Sequence, residues 1–190
     1  MKFVKVQQKN FLENVISDAD YKFLKTKLKT DAYDEWYFIV WFMAATGARV
    51  SELLHIKAEH VQVGYLDLYS KGGKIRRLYI PKTLRIEAIK WIKEKELSSG
   101  YIFLNRFGQR ITTRGIAQQL KHFAEKYGLN RDVVYPHSFR HRFAKNFLDR
   151  FNDLALLADL MGHESIETTR IYLRRTASEQ QKIVDRVVNW

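Results

Sequence analysis

Apolar positions recur along this chain with a helical period almost everywhere, and with a strand-like alternation only once. Tyr21, Leu24 and Leu28 form one stripe behind Ser17, a residue type that caps helix N-termini. The stretch 33–46 is apolar at nearly every position, which predicts a central helix buried all round and ended by Gly47. Ser51 is placed to cap a short helix through Leu53, Leu54 and Ile56. The period then changes: 64–70 and 75–80 flank Lys71-Gly72-Gly73-Lys74, predicting an antiparallel hairpin with a glycine turn. Helical spacing resumes over 82–95, with Ile86, Ile89 and Ile92 expected to point inward. Thr113 is expected to cap a helix that presents Ile116, Leu120 and Phe123 and stops at Gly128. Pro136 should open a helix bearing Phe139, Phe143 and Phe147, read as core. Asp153 should cap one ending at Gly162, and Ser165 one holding Tyr172. A last amphipathic helix over 178–189 shows Ile183, Val184, Val187 and Val188. The predicted fold class is mainly α with a small antiparallel β-sheet (α+β).

With 190 residues, 46% of them apolar and 14% aromatic, the chain has the length and composition of one compact domain with a substantial core. Two prolines and nine glycines leave room for little but regular structure, and no internal repeat, low-complexity tract or interdomain linker is visible. The absence of cysteine excludes a disulfide framework, a zinc ribbon and a cysteine nucleophile. Thirty-three Lys and Arg against 21 Asp and Glu give a net charge of +12, which points to a polyanionic partner, nucleic acid ahead of an anionic membrane. The most apolar run, 36–45, is too short to span a bilayer, and no apolar leader of signal-peptide type precedes it. The expectation is a cytoplasmic protein that binds DNA or RNA.

Several chemistries fail on spacing. Gly72-Gly73-Lys74 lacks the pattern of a phosphate-binding P-loop. His137 and His141 sit four apart, like a zinc-helix pair, but Ser138 stands where the general-base glutamate belongs and Arg140 between them would repel a dication. No metal and no cofactor are expected. What remains is a scattered set: Arg49 between a buried helix and the next helix start, Lys71 at the hairpin tip, His137 and Arg140 one helical turn apart, His163 after Gly162, and Tyr172 nine residues later. Singly, each has a plain explanation. Arg49 can pair with Glu52, Tyr172 is one of ten tyrosines, and His163 can finish a helix. Jointly, two guanidiniums, histidines and a tyrosine hydroxyl can hold a phosphodiester and attack its phosphorus.

The joint pattern resembles the catalytic domain of the tyrosine recombinase (phage integrase) family. The carriers are T-G-A-R-V-S-E-L at 46–53, S-K-G-G-K-I-R-R at 70–77, H-S-F-R-H-R-F-A at 137–144, L-M-G-H at 160–163 and T-T-R-I-Y at 168–172. The order and spacing match over about 14–176. The resemblance implies Arg49 and Arg140 as the phosphate-binding arginines, Lys71 as the hairpin lysine, His137 and His163 as the active-site histidines and Tyr172 as the nucleophile. It implies Glu52 and His141 as supporting residues. Lys74, Arg76, Arg77, Arg142 and Arg174 are the expected DNA contacts. Residues 1–17 are too few for the N-terminal helical domain that members usually carry, so the chain reads either as a separated catalytic domain or as an unusually short recombinase. Residues 18–176 would form the catalytic domain, and 177–190 a terminal helix that either packs on its own domain or passes to a neighbouring subunit.

The implied activity is breakage and rejoining of double-stranded DNA through a 3′-phosphotyrosyl link, independent of metal and ATP. His137 is the expected aid to tyrosine deprotonation and Lys71 the expected acid for the leaving 5′-oxygen. The expected assembly is a tetrameric synapse on DNA, from subunits monomeric without it. A non-cleaving DNA-binding regulator on the same scaffold and a type IB topoisomerase-like relaxing enzyme are the alternatives. The complete set of catalytic residue types disfavours the first.

Overall fold

Residues 14–69, 75–163, 165–173 and 184–187 are described in the computed structural model of the chain. Two long helices open it, α1 (Asp18–Thr30) and α2 (Asp34–Thr46), followed by the short α3 (Val50–Leu53) and α4 (Ala58–Val63). Strands β1 (Tyr65–Tyr69) and β2 (Ile75–Tyr79) then pair antiparallel, with Leu66 opposite Leu78 and Asp67 opposite Arg77. Five helices follow: α5 (Lys82–Glu94), α6 (Thr113–Lys126), α7 (Pro136–Arg150), α8 (Leu154–Met161) and α9 (Ile166–Arg170), the last running into a 3₁₀ turn over Ile171–Leu173. Residues 184–187 are helical, with Val184 and Val187 exposed. The rest of the expected terminal helix lies outside the described residues.

The caps account for most boundaries. Ser17 Oγ accepts from Asp20 N at 3.0 Å and Asp153 Oδ1 from Leu156 N at 2.8 Å. Gly47 and Gly162 end α2 and α8 in the left-handed region, which an L side chain resists. Three expectations shift. Helix α3 starts after Arg49 and not at Ser51, because the Glu52 carboxylate reaches back to the Arg49 amide at 2.7 Å. Thr112, not Thr113, caps α6, accepting from Gly115 N at 3.0 Å. Helix α5 turns Leu84, Ala88, Trp91 and Ile92 inward and leaves Ile86 exposed. Positions 84, 88, 91 and 92 share one face, whereas 86 lies on the opposite side of the helix.

A large core gathers Leu24 and Leu28 of α1, Phe38, Ile39, Phe42 and Met43 of α2, Trp91 of α5, Phe123 of α6 and Phe139 of α7. A second, much smaller cluster holds Ala144, Leu148, Leu157 and Met161, with Phe143, Phe147, Leu154 and Tyr172 half-buried against it. Helix α7 belongs to both. Its first turns seat Phe139 in the large core, and its later turns carry the small one. Phe143 and Phe147 are therefore packed but not in the main core as expected.

Candidate active site

The segment 46–49 is built by side-chain hydrogen bonds to the backbone. The Thr46 hydroxyl donates to the Phe42 carbonyl at 2.7 Å and accepts from Ala48 N at 3.2 Å. At Gly47 an added Cβ would stand 2.4 Å from Cδ1 of Phe143, so the close approach of α7 demands glycine. The turn leaves the Gly47 carbonyl facing Arg140, whose Nη1 donates to it at 2.6 Å. Arg140 Nη2 donates to the Met161 carbonyl at 2.7 Å and lies 3.1 Å from His163 Nε2. Arg49 leans in from the start of α3, with Nη1 on Glu52 Oε1 at 2.8 Å and Nη2 on the Gly162 carbonyl at 3.1 Å. Two guanidiniums thus converge on the turn that ends α8, one buried and one half-exposed. Burial, then the neighbouring Arg49 and Arg76, lowers the Arg140 pKa to about 10, and it stays a cation at neutral pH.

His163 follows that turn. Burial, then the Arg140, Arg49 and Arg76 charges, push its pKa down to about 4, so the ring is neutral. Because Arg140 can only donate, Nε2 accepts, and Nδ1 carries the proton shared with Thr169 Oγ1 at 2.8 Å. Arg140 thereby sets the tautomer, and the fully buried Thr169 accepts the Nδ1 proton. In this arrangement His163 buttresses Arg140.

Tyr172, expected on the helix begun by Ser165, lies beyond it in the 3₁₀ turn. Its hydroxyl is 2.7 Å from His141 Nδ1. Burial raises the phenol's pKa, with Arg140 pulling against it, while burial and the charges of His137 and Arg140 lower that of His141. The proton therefore rests on the tyrosine oxygen and the imidazole accepts. This alters the expected division of labour, since His141, and not His137, meets the hydroxyl. His137 is largely exposed on the adjacent turn, its ring centre 6.3 Å from that of His141, and partial desolvation, then the Arg140 and Arg49 charges, lowers its pKa.

Of the expected DNA contacts, Arg76 and Arg142 are committed internally. Arg76 reaches Glu52 Oε1 at 2.7 Å and the Leu160 carbonyl at 2.7 Å. Arg142 pairs with Asp18 at 2.8 Å and lies over the Tyr21 ring at 4.0 Å. Arg77 is half-exposed, paired across the hairpin with Asp67 at 2.7 Å. Lys71, Lys74 and Arg174 lie outside the described residues. A cavity of about 850 Å³ opens between hairpin and α8, lined among others by Arg49, Glu52, Arg76, Arg77, Gly162 and His163. Sequence reasoning missed Thr46, Thr169 and Ser138, whose hydroxyl accepts from Ile16 N at 2.8 Å in the turn between His137 and Arg140. Their only advance signal was to lie inside the quoted motifs.

A mainly helical domain with one small hairpin, two guanidiniums converging on a helix end and a tyrosine hydroxyl held by an imidazole define the tyrosine recombinase catalytic-domain class. A model of the phage integrase family matches residues 14–179, and the chain belongs to that family. It is similar to the tyrosine recombinase XerA of Pyrococcus furiosus, 34% identical over 154 residues that cover 78% of this chain and 53% of that protein. It is likewise 34% identical to the tyrosine recombinase XerD of Listeria innocua over 141 residues, 70% of this chain and 47% of the relative. The chain thus spans about half the length of the curated relatives it matches. Among solved structures, the fold is similar to XerA recombinase (TM-score 0.76, 23% identity, 96% of this chain and 66% of that one). It is also similar to the catalytic domain of bacteriophage HP1 integrase (TM-score 0.60, 20% identity, 92% and 96%).

Proposed function

We propose that residues 18–176 form the catalytic domain of a site-specific recombinase that cuts and rejoins duplex DNA through Tyr172. The observation that carries this reading is the Tyr172 hydroxyl, bonded to a neutral imidazole beside a buried, charged Arg140. Tyr172 Oη attacks the scissile phosphorus, forming a tyrosyl O–P bond as the bond to the 5′-oxygen breaks. His141 takes the phenolic proton, and a donor on the hairpin, with Lys71 the candidate, protonates the departing 5′-oxygen. Arg49 and Arg140 meet the charge that develops on the non-bridging oxygens, worth most in a partly dry cleft. Because Arg140 already gives hydrogen bonds to two carbonyls and an imidazole, its fork is aimed before DNA arrives. The phosphodiester is exchanged and not hydrolysed, so rejoining by a 5′-hydroxyl needs no nucleotide cofactor. The partner is double-stranded DNA, held mainly by its phosphates, with four subunits assembling on two duplexes.

The test is covalent capture. Nicked duplexes with randomised sequence beside the nick should yield a protein–DNA adduct that survives denaturant, in the presence of excess EDTA. Tyr172→Phe should yield none. Failure of the native chain to form any adduct, or adducts persisting in Tyr172→Phe, overturns the reading. The sequence recovered from the adducts then serves as the substrate for the measurements below.

A further inference from the structure

We infer that Arg76 is a positioning residue: from the hairpin strand β2 it fastens both the carboxylate that aims Arg49 and the turn that carries His163. Its side chain is only 9% exposed, although it lies on a two-stranded hairpin in a chain of +12 net charge. Nη1 meets Glu52 Oε1 at 2.7 Å, the same oxygen that Arg49 Nη1 reaches at 2.8 Å, while Glu52 Oε2 holds the Arg49 amide. Nε donates to the Leu160 carbonyl at 2.7 Å, three residues ahead of His163. Nη2 is buried without a hydrogen-bond partner, so the fork faces into the protein and not toward an incoming phosphate.

Gly162 supplies an independent observation. A Cβ there would sit 2.4 Å from Arg76 Cδ and 3.1 Å from Nε. The turn ending α8 is thus moulded on the stem of Arg76, as the middle of α7, at Phe143, closes on Gly47. Removing the guanidinium frees Glu52 Oε1 to follow Arg49 alone and cuts the hairpin's tie to the Leu160–His163 turn. The neighbouring strand position makes the contrast: Arg77 turns to the other face and pairs with Asp67 in solvent. A bidentate fork is what the two-way fastening needs, since one ammonium can satisfy the carboxylate or the carbonyl but holds neither in a fixed plane.

The inference rests on the recombinase reading for its catalytic arm and stands apart from it in two others. Cleavage of the recovered nicked duplex is measured at saturating protein for the native chain, Arg76→Gln and Arg76→Lys. Arg76→Gln should be slower by about 100-fold, the scale of a misplaced catalytic group, and Arg76→Lys should fall between. The slope of log affinity against log salt for random duplex should not change, whereas loss of one phosphate contact would reduce it by about 0.9. The pKa of His163, followed by NMR without DNA, should rise in Arg76→Gln and stay in place in Lys90→Gln, which removes an exposed cation on α5. A reduced salt slope makes Arg76 a DNA contact and overturns the inference, as does native-rate cleavage by Arg76→Gln. A fall in thermal midpoint with His163 titrating as in the native chain reduces Arg76 to a brace of the fold, and also overturns it. A native chain that forms no adduct refutes the recombinase reading alone, because the His163 titration still reads the Arg76 contact.

Discussion

The two apolar clusters hold different halves of the proposed site. Arg49 and the first turns of α7 are set against the large core, where Phe42, Met43, Leu53 and Phe139 are fully buried. Tyr172 instead hangs from the small cluster, where four buried residues are flanked by half-buried rings and where Phe151, Leu156 and Ile166 are exposed. The residues proposed to meet the phosphate charge thus stand against the larger core, and the proposed nucleophile against the cluster with least apolar burial to hold it.

The largest expected effects separate these halves. Phe42→Ala should lower global stability by about 3–5 kcal/mol, read as a shift in the urea midpoint. Leu157→Ala, in the small cluster, should cost about 2 kcal/mol, near the lower end for such truncations, because thin packing can collapse around the gap. Its amide exchange should accelerate in α8 and α9 before anywhere in α2. Equal acceleration in α2 would show the clusters to be one cooperative unit. Gly47→Ala strikes the seam between them: a left-handed alanine costs about 1–2 kcal/mol in backbone strain, and its Cβ must displace the Phe143 ring. That variant should lose cleavage more than stability, since the carbonyl holding Arg140 moves with it.

Protonation gives a finer division. The folded protein holds His163 at a pKa of about 4, against roughly 6.5 in an unfolded chain. Protons therefore bind the unfolded state first, and the stability present above pH 6.5 should be lost as the pH falls from there toward 4. His137 and His141, shifted in the same direction, add to the loss. Urea midpoints at pH 7.5, 5.5 and 4.5 should fall less steeply for His163→Gln than for the native chain. A parallel fall in both would place the proton sensitivity elsewhere.

Local devices were legible in the sequence. Ser17, Asp153, Gly47 and Gly162 act within a few residues of themselves, and the stripes of α1 and α6 follow their own periods. What escaped depends on distant partners. Ser51 looks like a cap until the Glu52 carboxylate is seen holding the Arg49 amide. Arg76 and Arg142 look like DNA contacts because nothing adjacent in sequence neutralises them; Glu52 and Asp18 do so only after folding. His137 and His141 share a helix face, and only the return of the chain through α9 decides which one meets Tyr172.

The smallest expected effect concerns Arg142, the joint between α7 and α1. Its partner Asp18 is 62% exposed, while the guanidinium side is 13% exposed and stacked on Tyr21. An ion pair with one wet end contributes at most about 1 kcal/mol, and Asp18→Asn keeps an oxygen to accept from Nη2, so its cost should be smaller still. The stacking on Tyr21 should hold the guanidinium in place without the carboxylate's charge. Affinity for random duplex should then change little, and its salt slope should match that of the native chain. A steeper slope in Asp18→Asn would mean that the carboxylate alone kept Arg142 from the phosphates. The sequence expectation of a DNA contact at Arg142 would then hold for the released side chain, and the large core would be contributing to DNA binding as well as to the arginines' placement.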